Sequence, residues 1–185
     1  MRLIIGISGA TGSIYGIRTL EVLNDLGIES HLVTTEVAKK NIEMETPYAV
    51  RQVEKLATEV HHICNMAASI SSGSFYTDGM IIAPCSIKSL SGVANSFNQN
   101  LLIRAADVTL KEKRKLVMVV RETPLHMGHL QLMARVAEMG GVILPPMPAF
   151  YHRPQTIDDL INQTVGKVLD QFQINHNLFN RWHGM

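Results

Sequence analysis

The chain contains 185 residues, of which 46% are hydrophobic and 18% are charged, and its formal net charge is +1. This composition predicts one globular domain over residues 1–185, and it excludes both a disordered chain and a strongly basic nucleic-acid-binding protein. No apolar run is long enough to span a bilayer, and the N-terminal residues indicate a strand and not a signal peptide. We therefore expect a cytoplasmic protein with no membrane partner.

A glycine-rich segment, Gly6–Gly16, follows the first predicted strand, Leu3–Ile5, and leads into residues with helical spacing at 14–23. Glycines permit a tight turn and a close approach of backbone to ligand, and free N–H groups at a helix start attract phosphate. We therefore predict that a phosphate-bearing ligand lies over the end of this strand. The alternative is a glycine-rich turn that binds nothing.

The rest of the chain alternates between strand-like and helix-like segments. Gly27 is expected to cap the first helix in a left-handed conformation after Leu26. Further strands are predicted at 28–34, 79–84, 116–120 and 142–144, and further helices at 36–45, from 46 onwards, 90–95, 101–113, 126–139 and 157–172. Residues 60–69 fit either a short strand or a helix, whereas the prolines within 145–148 preclude sheet pairing there. This alternation predicts a doubly wound α/β fold with a mainly parallel sheet flanked by helices.

Polar segments follow several of the predicted strands. In doubly wound sheets a ligand lies outside the carboxyl ends of the strands, so these segments are expected to converge on one site. They are Gly9–Ser13, Thr35, Pro84–Ser89, Arg121–Glu122 and the proline-rich stretch before Tyr151.

The glycine turn also resembles the nucleotide turn of short-chain dehydrogenases, which share the tetrapeptide found at 9–12. The last glycine of that pattern comes one residue late, and each tyrosine lacks a lysine four residues on, so this alternative is disfavoured. His126 and His129 share a helix face, but a metal would need a third ligand, and we expect packing or surface exposure instead. Cys85 has the position of a nucleophile near a helix start, although burial is the favoured prediction.

Six motifs together resemble the flavin prenyltransferase (UbiX) family, in the branch formerly called phenylacrylic acid decarboxylase. They span essentially the whole chain in the right order. They are GISGATG at 6–12, PCSIKS at 84–89, RAAD at 104–107, LKEKR at 110–114, RETPL at 121–125 and PAFYHRP at 148–154.

The resemblance implies a Rossmann-like (flavodoxin-like) fold, assembled as a dodecamer with sites between subunits. It implies an enzyme that joins a dimethylallyl group from dimethylallyl phosphate to N5 and C6 of reduced FMN without a metal, for use by a UbiD-type decarboxylase. The implied FMN-binding residues are Gly9, Ala10, Thr11, Thr35, Ser86, Ile87, Lys88, Ser89 and Arg121. The implied residues for the prenyl phosphate are Arg104, Lys111, Tyr151 and Lys167.

The predicted catalytic residues are Glu45, Glu122 and Tyr151, in which the two carboxylates handle protons and the hydroxyl assists the phosphate. For Glu122 the alternative is an ion pair that only orients Arg121. Thr11 stands where many family members have Ser, and Lys167 stands where some relatives have Arg, which keeps both roles but changes the contacts. Two other functions stay open, namely a non-catalytic flavin-storage subunit and an aromatic-acid decarboxylase.

Apolar side chains that a small domain cannot easily bury also predict a homo-oligomer. They are Met44, Tyr48, Phe75 and the 179–182 tail. The alternative is a tail that folds back on its own chain.

Overall fold

One parallel sheet forms the centre of the molecule in the computed structural model, which describes residues 1–182 and 184. Its strands are β1 (Arg2–Ile7), β2 (Glu29–Thr34), β3 (Glu59–His61), β4 (Gly79–Cys85), β5 (Lys115–Val120) and β6 (Val142–Ile143). Their order is β3-β2-β1-β4-β5-β6, and every neighbouring pair is parallel. This confirms the predicted doubly wound, parallel sheet.

Seven helices cover the two faces of this sheet within the described residues. They are α1 (Ser13–Asp25), α2 (Glu36–Glu45), α3 (Val50–Glu54), α4 (Ile87–Ala94), α5 (Leu101–Lys111), α6 (Met127–Glu138) and α7 (Ile157–Gln171). None of the helices in this part of the chain is long and apolar enough to cross a membrane.

Alternate residues of the strands point into two separate hydrophobic cores, because side chains in a strand alternate between its faces. Leu3, Ile5 and Val117 belong to the core that α1, α2, α3 and α7 cover. Ile4 and Met118 belong to the core that α4, α5 and α6 cover. Consequently α5 and α7 lie on opposite faces of the sheet.

Local capping signals in the sequence correctly place several helix ends. Gly27 has φ +64° directly after the first helix, as predicted. Thr156 caps α7, since its hydroxyl accepts a hydrogen bond from the N–H of Asp159 at 3.2 Å. Such signals are readable because each involves residues only a few positions apart.

The predicted helix start at Thr46 and Pro47 is wrong. Thr46 instead ends α2, where its hydroxyl donates to the carbonyl of Ile42 at 2.6 Å, and α3 begins only after Ala49. The ambiguous stretch at 60–69 contains the last residues of β3 and then turns, with a short 3-10 turn at Ser69–Ser71.

The apolar residues expected on the surface divide into two groups. Met44 is 78% exposed and Trp182 is 61% exposed, whereas Tyr48, Phe75 and Phe179 are half-buried. Arg181 in the tail donates to Asp170 on α7 at 2.6 Å, so part of the tail does fold back on its own chain.

Candidate functional site

The strand order reverses between β1 and β4, and the carboxyl ends of these strands lie side by side. Ser8, just after β1, joins them: its hydroxyl donates to the carbonyl of Pro84 at 3.0 Å and accepts the N–H of Ser86 at 2.8 Å. In this fold class the reversal point is where ligands bind. Ser8 was not among the predicted site residues. Its position inside the glycine motif is the signal in the sequence, and the structure shows that it is buried.

Two capped helix N-termini point toward this crevice. The hydroxyl of Thr35 accepts the N–H of Ala38 at 3.2 Å at the start of α2. The hydroxyl of Ser86 accepts the N–H of Ser89 at 3.3 Å at the start of α4. Helix N-termini carry partial positive charge and unpaired N–H groups, so together they form a favourable environment for an anion.

A cavity of about 450 Å³ occupies the crevice between these helix starts. It brings together seven of the predicted residues: Gly9, Thr35, Ser86, Ile87, Lys88, Ser89 and Glu122. It also has wall residues that the sequence analysis did not anticipate: Glu36, Val37, Ile63, Gln99, Asn100 and Ile103. Of these only Asn100 had a local signal, since it caps α5 by accepting the N–H of Ile103 at 3.0 Å.

Gly9 lies in the wall of the cavity, where there is no room for a side chain. A Cβ at this position would lie 2.7 Å from Cγ1 of Val37, well inside van der Waals contact. Glycine is therefore needed for the turn to pack against Val37 of α2. Gly12, three residues later, has φ +95° and starts α1 in a left-handed conformation.

Glu45 reaches the glycine turn from the end of α2. Its Oε2 accepts the N–H of Gly12 at 2.8 Å and that of Ser13 at 3.3 Å. The N-terminus of α1 therefore already holds an anionic partner, so a phosphate is better served by α2 and α4. Ala10 and Thr11 complete the turn, with the carbonyl of Ala10 accepting the side-chain amide of Asn41 at 3.1 Å.

Arg121 and Glu122 follow β5, beside the crevice. The backbone N–H of Arg121 donates to the carbonyl of Cys85 at 3.0 Å, which holds the end of β5 next to the end of β4. Oε1 of Glu122 accepts the N–H of Thr123 at 3.0 Å, so its carboxylate is bound to its own loop.

The predicted prenyl-phosphate residues do not line this cavity and do not gather within one chain. Arg104 on α5 donates to the carbonyl of Ser71 at 3.1 Å and to Asp107 at 3.2 Å. Lys111, at the end of the same helix, contacts the carboxylate of Glu112.

The other two prenyl-phosphate residues lie elsewhere in the chain. Lys167 is on α7, on the opposite face of the sheet from α5, where its Nζ lies 3.6 Å from Asp170. Tyr151 is 47% exposed, and its ring lies 6.3 Å from that of Trp182. These four side chains therefore do not form one site within a single chain.

Cys85, His126 and His129 do not line the cavity, and no catalytic role is assigned to them. Burial raises the pKa of the Cys85 thiol far above its ordinary value, so the thiol stays protonated and is a poor nucleophile. His126 caps α6, since its Nδ1 accepts the N–H of Gly128 at 3.0 Å, and its ring lies 3.6 Å from that of His129.

Comparison with known proteins identifies the family. The Flavoprotein family matches residues 1–169. Over its full length the chain is 62% identical to the flavin prenyltransferase UbiX of Thauera aromatica, and the match covers 95% of that protein. The chain belongs to the UbiX flavin prenyltransferase family. The resemblance inferred from the six motifs is thereby confirmed.

Solved UbiX structures share the whole fold of the chain. A dodecameric FMN-dependent UbiX-like decarboxylase from Escherichia coli O157:H7 has a TM-score of 0.98 and 49% identity, with 100% of both chains covered. AnUbiX (PadA1), solved in complex with FMN and dimethylallyl pyrophosphate, has a TM-score of 0.98 and 47% identity, covering 100% of this chain and 98% of that one. These UbiX structures confirm the predicted Rossmann-like, flavodoxin-like fold.

Proposed function

We propose that this chain is a flavin prenyltransferase that binds reduced FMN and joins a dimethylallyl group to its N5 and C6, releasing phosphate. The observation that carries the proposal is the UbiX-type sequence over the full chain, together with the cavity at the reversal point of the sheet. The prenyl donors to compare are dimethylallyl phosphate and the diphosphate named for AnUbiX.

The residues around the cavity fit FMN. Two helix N-termini, capped by Thr35 and Ser86, offer N–H groups to a phosphate, and Lys88 lines the same wall. Ile87, Ser89 and Arg121 complete this anion-binding side. The turn at Gly9, Ala10 and Thr11 allows a flat ring system to lie against the backbone, because Gly9 lines the cavity without a side chain.

The prenyl phosphate needs cations, because a phosphate monoester leaves readily only when its charge is neutralised. We assign this task to Arg104, Lys111 and Lys167, with the hydroxyl of Tyr151 as a further donor. The two residues on α5 and the lysine on α7 lie on opposite faces of the sheet. A complete donor site therefore requires side chains from more than one subunit.

Proton handling falls to the two carboxylates beside the crevice. Glu45 lies against the glycine turn through Gly12, and Glu122 lines the cavity. One proton leaves C6 when the ring closes, so a carboxylate within reach of the ring can act as its acceptor.

We further propose that the chain assembles as a homo-oligomer, most simply the dodecamer named for the Escherichia coli O157:H7 structure. Mixing two inactive variants, Arg104→Ala and Lys167→Ala, tests the shared site. If the two residues reach one site from different subunits, mixed oligomers regain activity that neither variant has alone. Absence of recovery in oligomers shown by mass spectrometry to be mixed contradicts the shared site.

The decisive experiment for the function is the mass of the flavin. Purified protein is incubated without oxygen with reduced FMN and each prenyl donor, and we expect a flavin heavier by one five-carbon prenyl unit. Bound flavin of unchanged mass supports the storage function. Loss of carbon dioxide from an aromatic acid, without prenylation, supports the decarboxylase named for the Escherichia coli structure. The product would serve a UbiD-type decarboxylase in the reducing cytoplasm, where reduced FMN is available.

A further inference from the structure

A cluster of titratable side chains lies at the β3 edge of the sheet, apart from the residues that line the flavin cavity. Glu59 and His61 are two positions apart on β3, so their side chains share a face of the sheet. His31 on β2 is the register partner of Glu59. Among the described residues these three form the group whose donor atoms lie within 4.8 Å of one another.

The two imidazoles are buried and face each other. His31 is 2% exposed and His61 is 6% exposed. Nδ1 of His31 lies 2.9 Å from Nε2 of His61, and the ring planes are inclined by only 12° with their centroids 5.2 Å apart, so the rings meet edge to edge. A carboxylate oxygen of Glu59 lies 3.5 Å from the same Nδ1 of His31. The other oxygen of Glu59 lies 3.6 Å from Nδ1 of His61, and one donor atom of each residue lies within 4.8 Å of the other two.

A second carboxylate fixes the tautomer of His31. Its Nε2–H donates to Oε1 of Glu29 at 3.0 Å, which leaves Nδ1 as the lone pair that faces His61. Glu29 is itself held by Nε of Arg2 at 2.6 Å. A histidine oriented by a carboxylate on its far nitrogen is the usual arrangement around protein-bound metals.

The surroundings shield both rings from solvent. The ring of Phe75 packs edge-on against His31 at 5.2 Å, and the guanidinium of Arg2 covers the outer side of Phe75 at 4.5 Å.

We propose that His31, His61 and Glu59 form a binding site for a divalent transition-metal cation of the Zn²⁺ class, with water as the fourth ligand. Two imidazoles and one carboxylate are a donor set typical of zinc. Tetrahedral coordination with the usual Zn–N lengths places the two nitrogens about 3.3 Å apart. The nitrogens therefore have to separate by about 0.4 Å, and each ring has to turn so that its lone pair points at the ion. The cation takes the place of the proton between the nitrogens, and that proton moves to Nδ1 of His61 or to water.

Such an ion would fasten the edge strand to the sheet. β3 has only three residues, and Ile63, two residues after His61, lines the flavin cavity. A cation held by β2 and β3 together would therefore restrict the segment that forms one wall of that cavity. None of the three ligands lines the flavin cavity, so the proposed ion is structural.

Zinc binding to the full-length protein tests the proposal. The protein is first stripped with a chelator and then titrated with Zn²⁺ against a chromophoric competitor. We expect one tight equivalent per chain, a rise in Tm on adding Zn²⁺, and a tetrahedral Co²⁺ absorption spectrum when cobalt replaces zinc. The proposal is overturned if stripped protein takes up no equivalent under conditions in which it is folded.

Variants test whether the tightly bound Zn²⁺ lies at these residues. Glu59→Gln removes an exposed ligand and His61→Gln removes a buried one. Each variant should lose the tight binding of one Zn²⁺ per chain. Glu29→Gln acts through His31 and should weaken binding by about 10- to 100-fold while keeping the stoichiometry. Should His61→Gln fail to fold, Glu59→Gln still decides the question.

Two nearby residues provide the matched control. His62 and Cys64 are exposed and follow β3 directly, so they are the obvious site for a stray ion. The double variant His62→Ala/Cys64→Ser should retain the tight equivalent and the Tm rise. If that variant loses them while Glu59→Gln keeps them, the ion binds at the surface loop and the proposal is wrong.

Discussion

Replacing Glu45 tests the contact that joins the end of α2 to the glycine turn. Its carboxylate accepts the N–H groups of Gly12 and Ser13 at 2.8 and 3.3 Å, at the positive end of the α1 dipole. Glu45→Gln keeps one carbonyl oxygen for the shorter bond but removes the charge. Glu45→Ala removes both.

The expected loss of stability follows from this geometry. An exposed charge at a helix N-terminus contributes about 0.5 kcal/mol, the lower half of the usual range, so Glu45→Gln should cost about that much unfolding free energy. Losing the acceptor as well costs about 1 kcal/mol more, so Glu45→Ala should lose about 1.5 kcal/mol in total. Urea unfolding followed by far-UV circular dichroism measures both values.

The same two variants separate the structural role of Glu45 from its proposed catalytic one. If the carboxylate also accepts a proton during prenyl transfer, Glu45→Gln should slow the reaction by about a hundredfold, far more than its small stability loss explains. Glu43→Gln is the matched control, since Glu43 is exposed on the same helix. Full activity in Glu45→Gln would refute the proton role. Unchanged stability in Glu45→Ala would refute the capping contact.

Three further predictions address the cavity, the core and the tail. Glu122→Gln should preserve FMN binding but slow prenyl transfer about a hundredfold, or about 2.7 kcal/mol in activation free energy; loss of FMN binding would instead favour a structural role. Gly16→Ala should destabilise the fold by about 1–3 kcal/mol, because the new Cβ would lie 2.2 Å from a backbone carbonyl of β4; Gly128→Ala, which meets only an exposed imidazole, is the control, and equal unfolding midpoints would contradict the clash. Arg181 lowers the pKa of Asp170, so the carboxyl group of Asp170 binds a proton less tightly in the folded state than in the unfolded state. The stability that the ion pair contributes is therefore present above about pH 4 and is lost as the pH falls below that value. Asp170→Asn should therefore flatten that part of the stability–pH curve, and an unaltered curve would show that the pair contributes nothing.

Much of the fold could be predicted from the sequence because its signals are local. The apolar run of β1, the left-handed Gly27 and the cap at Thr156 each involve neighbouring residues, and all three were placed correctly. The helix expected from Pro47 failed for a local reason too. The hydroxyl of Thr46 donates to a carbonyl of α2 at 2.6 Å, so it ends that helix and does not cap a new one. The next helix therefore starts only after Ala49.

The candidate site was predictable in part, because the carboxyl ends of parallel strands lie at the same edge of the sheet, however far apart the strands are in the sequence. Seven predicted residues, from Gly9 to Glu122, do line one cavity. The sequence could not show that Glu45 occupies the start of α1, a contact across 33 residues. Nor could it show that α5 and α7 cover opposite faces, which separates Arg104 from Lys167.

The alternation of strands and helices, the glycine turn and the family motifs can be read from the amino-acid sequence, since periodicity, backbone freedom and composition are properties of short segments. Contacts between distant side chains depend on how the whole chain packs. The Ser8–Ser86 bond joins residues 78 positions apart, and the pairing of His31 with His61 depends on the register of β2 and β3. In the sequence, His31 is visible only as a polar residue that interrupts an apolar run. Its partner is determined by strand order and register, which arise when the whole sheet packs.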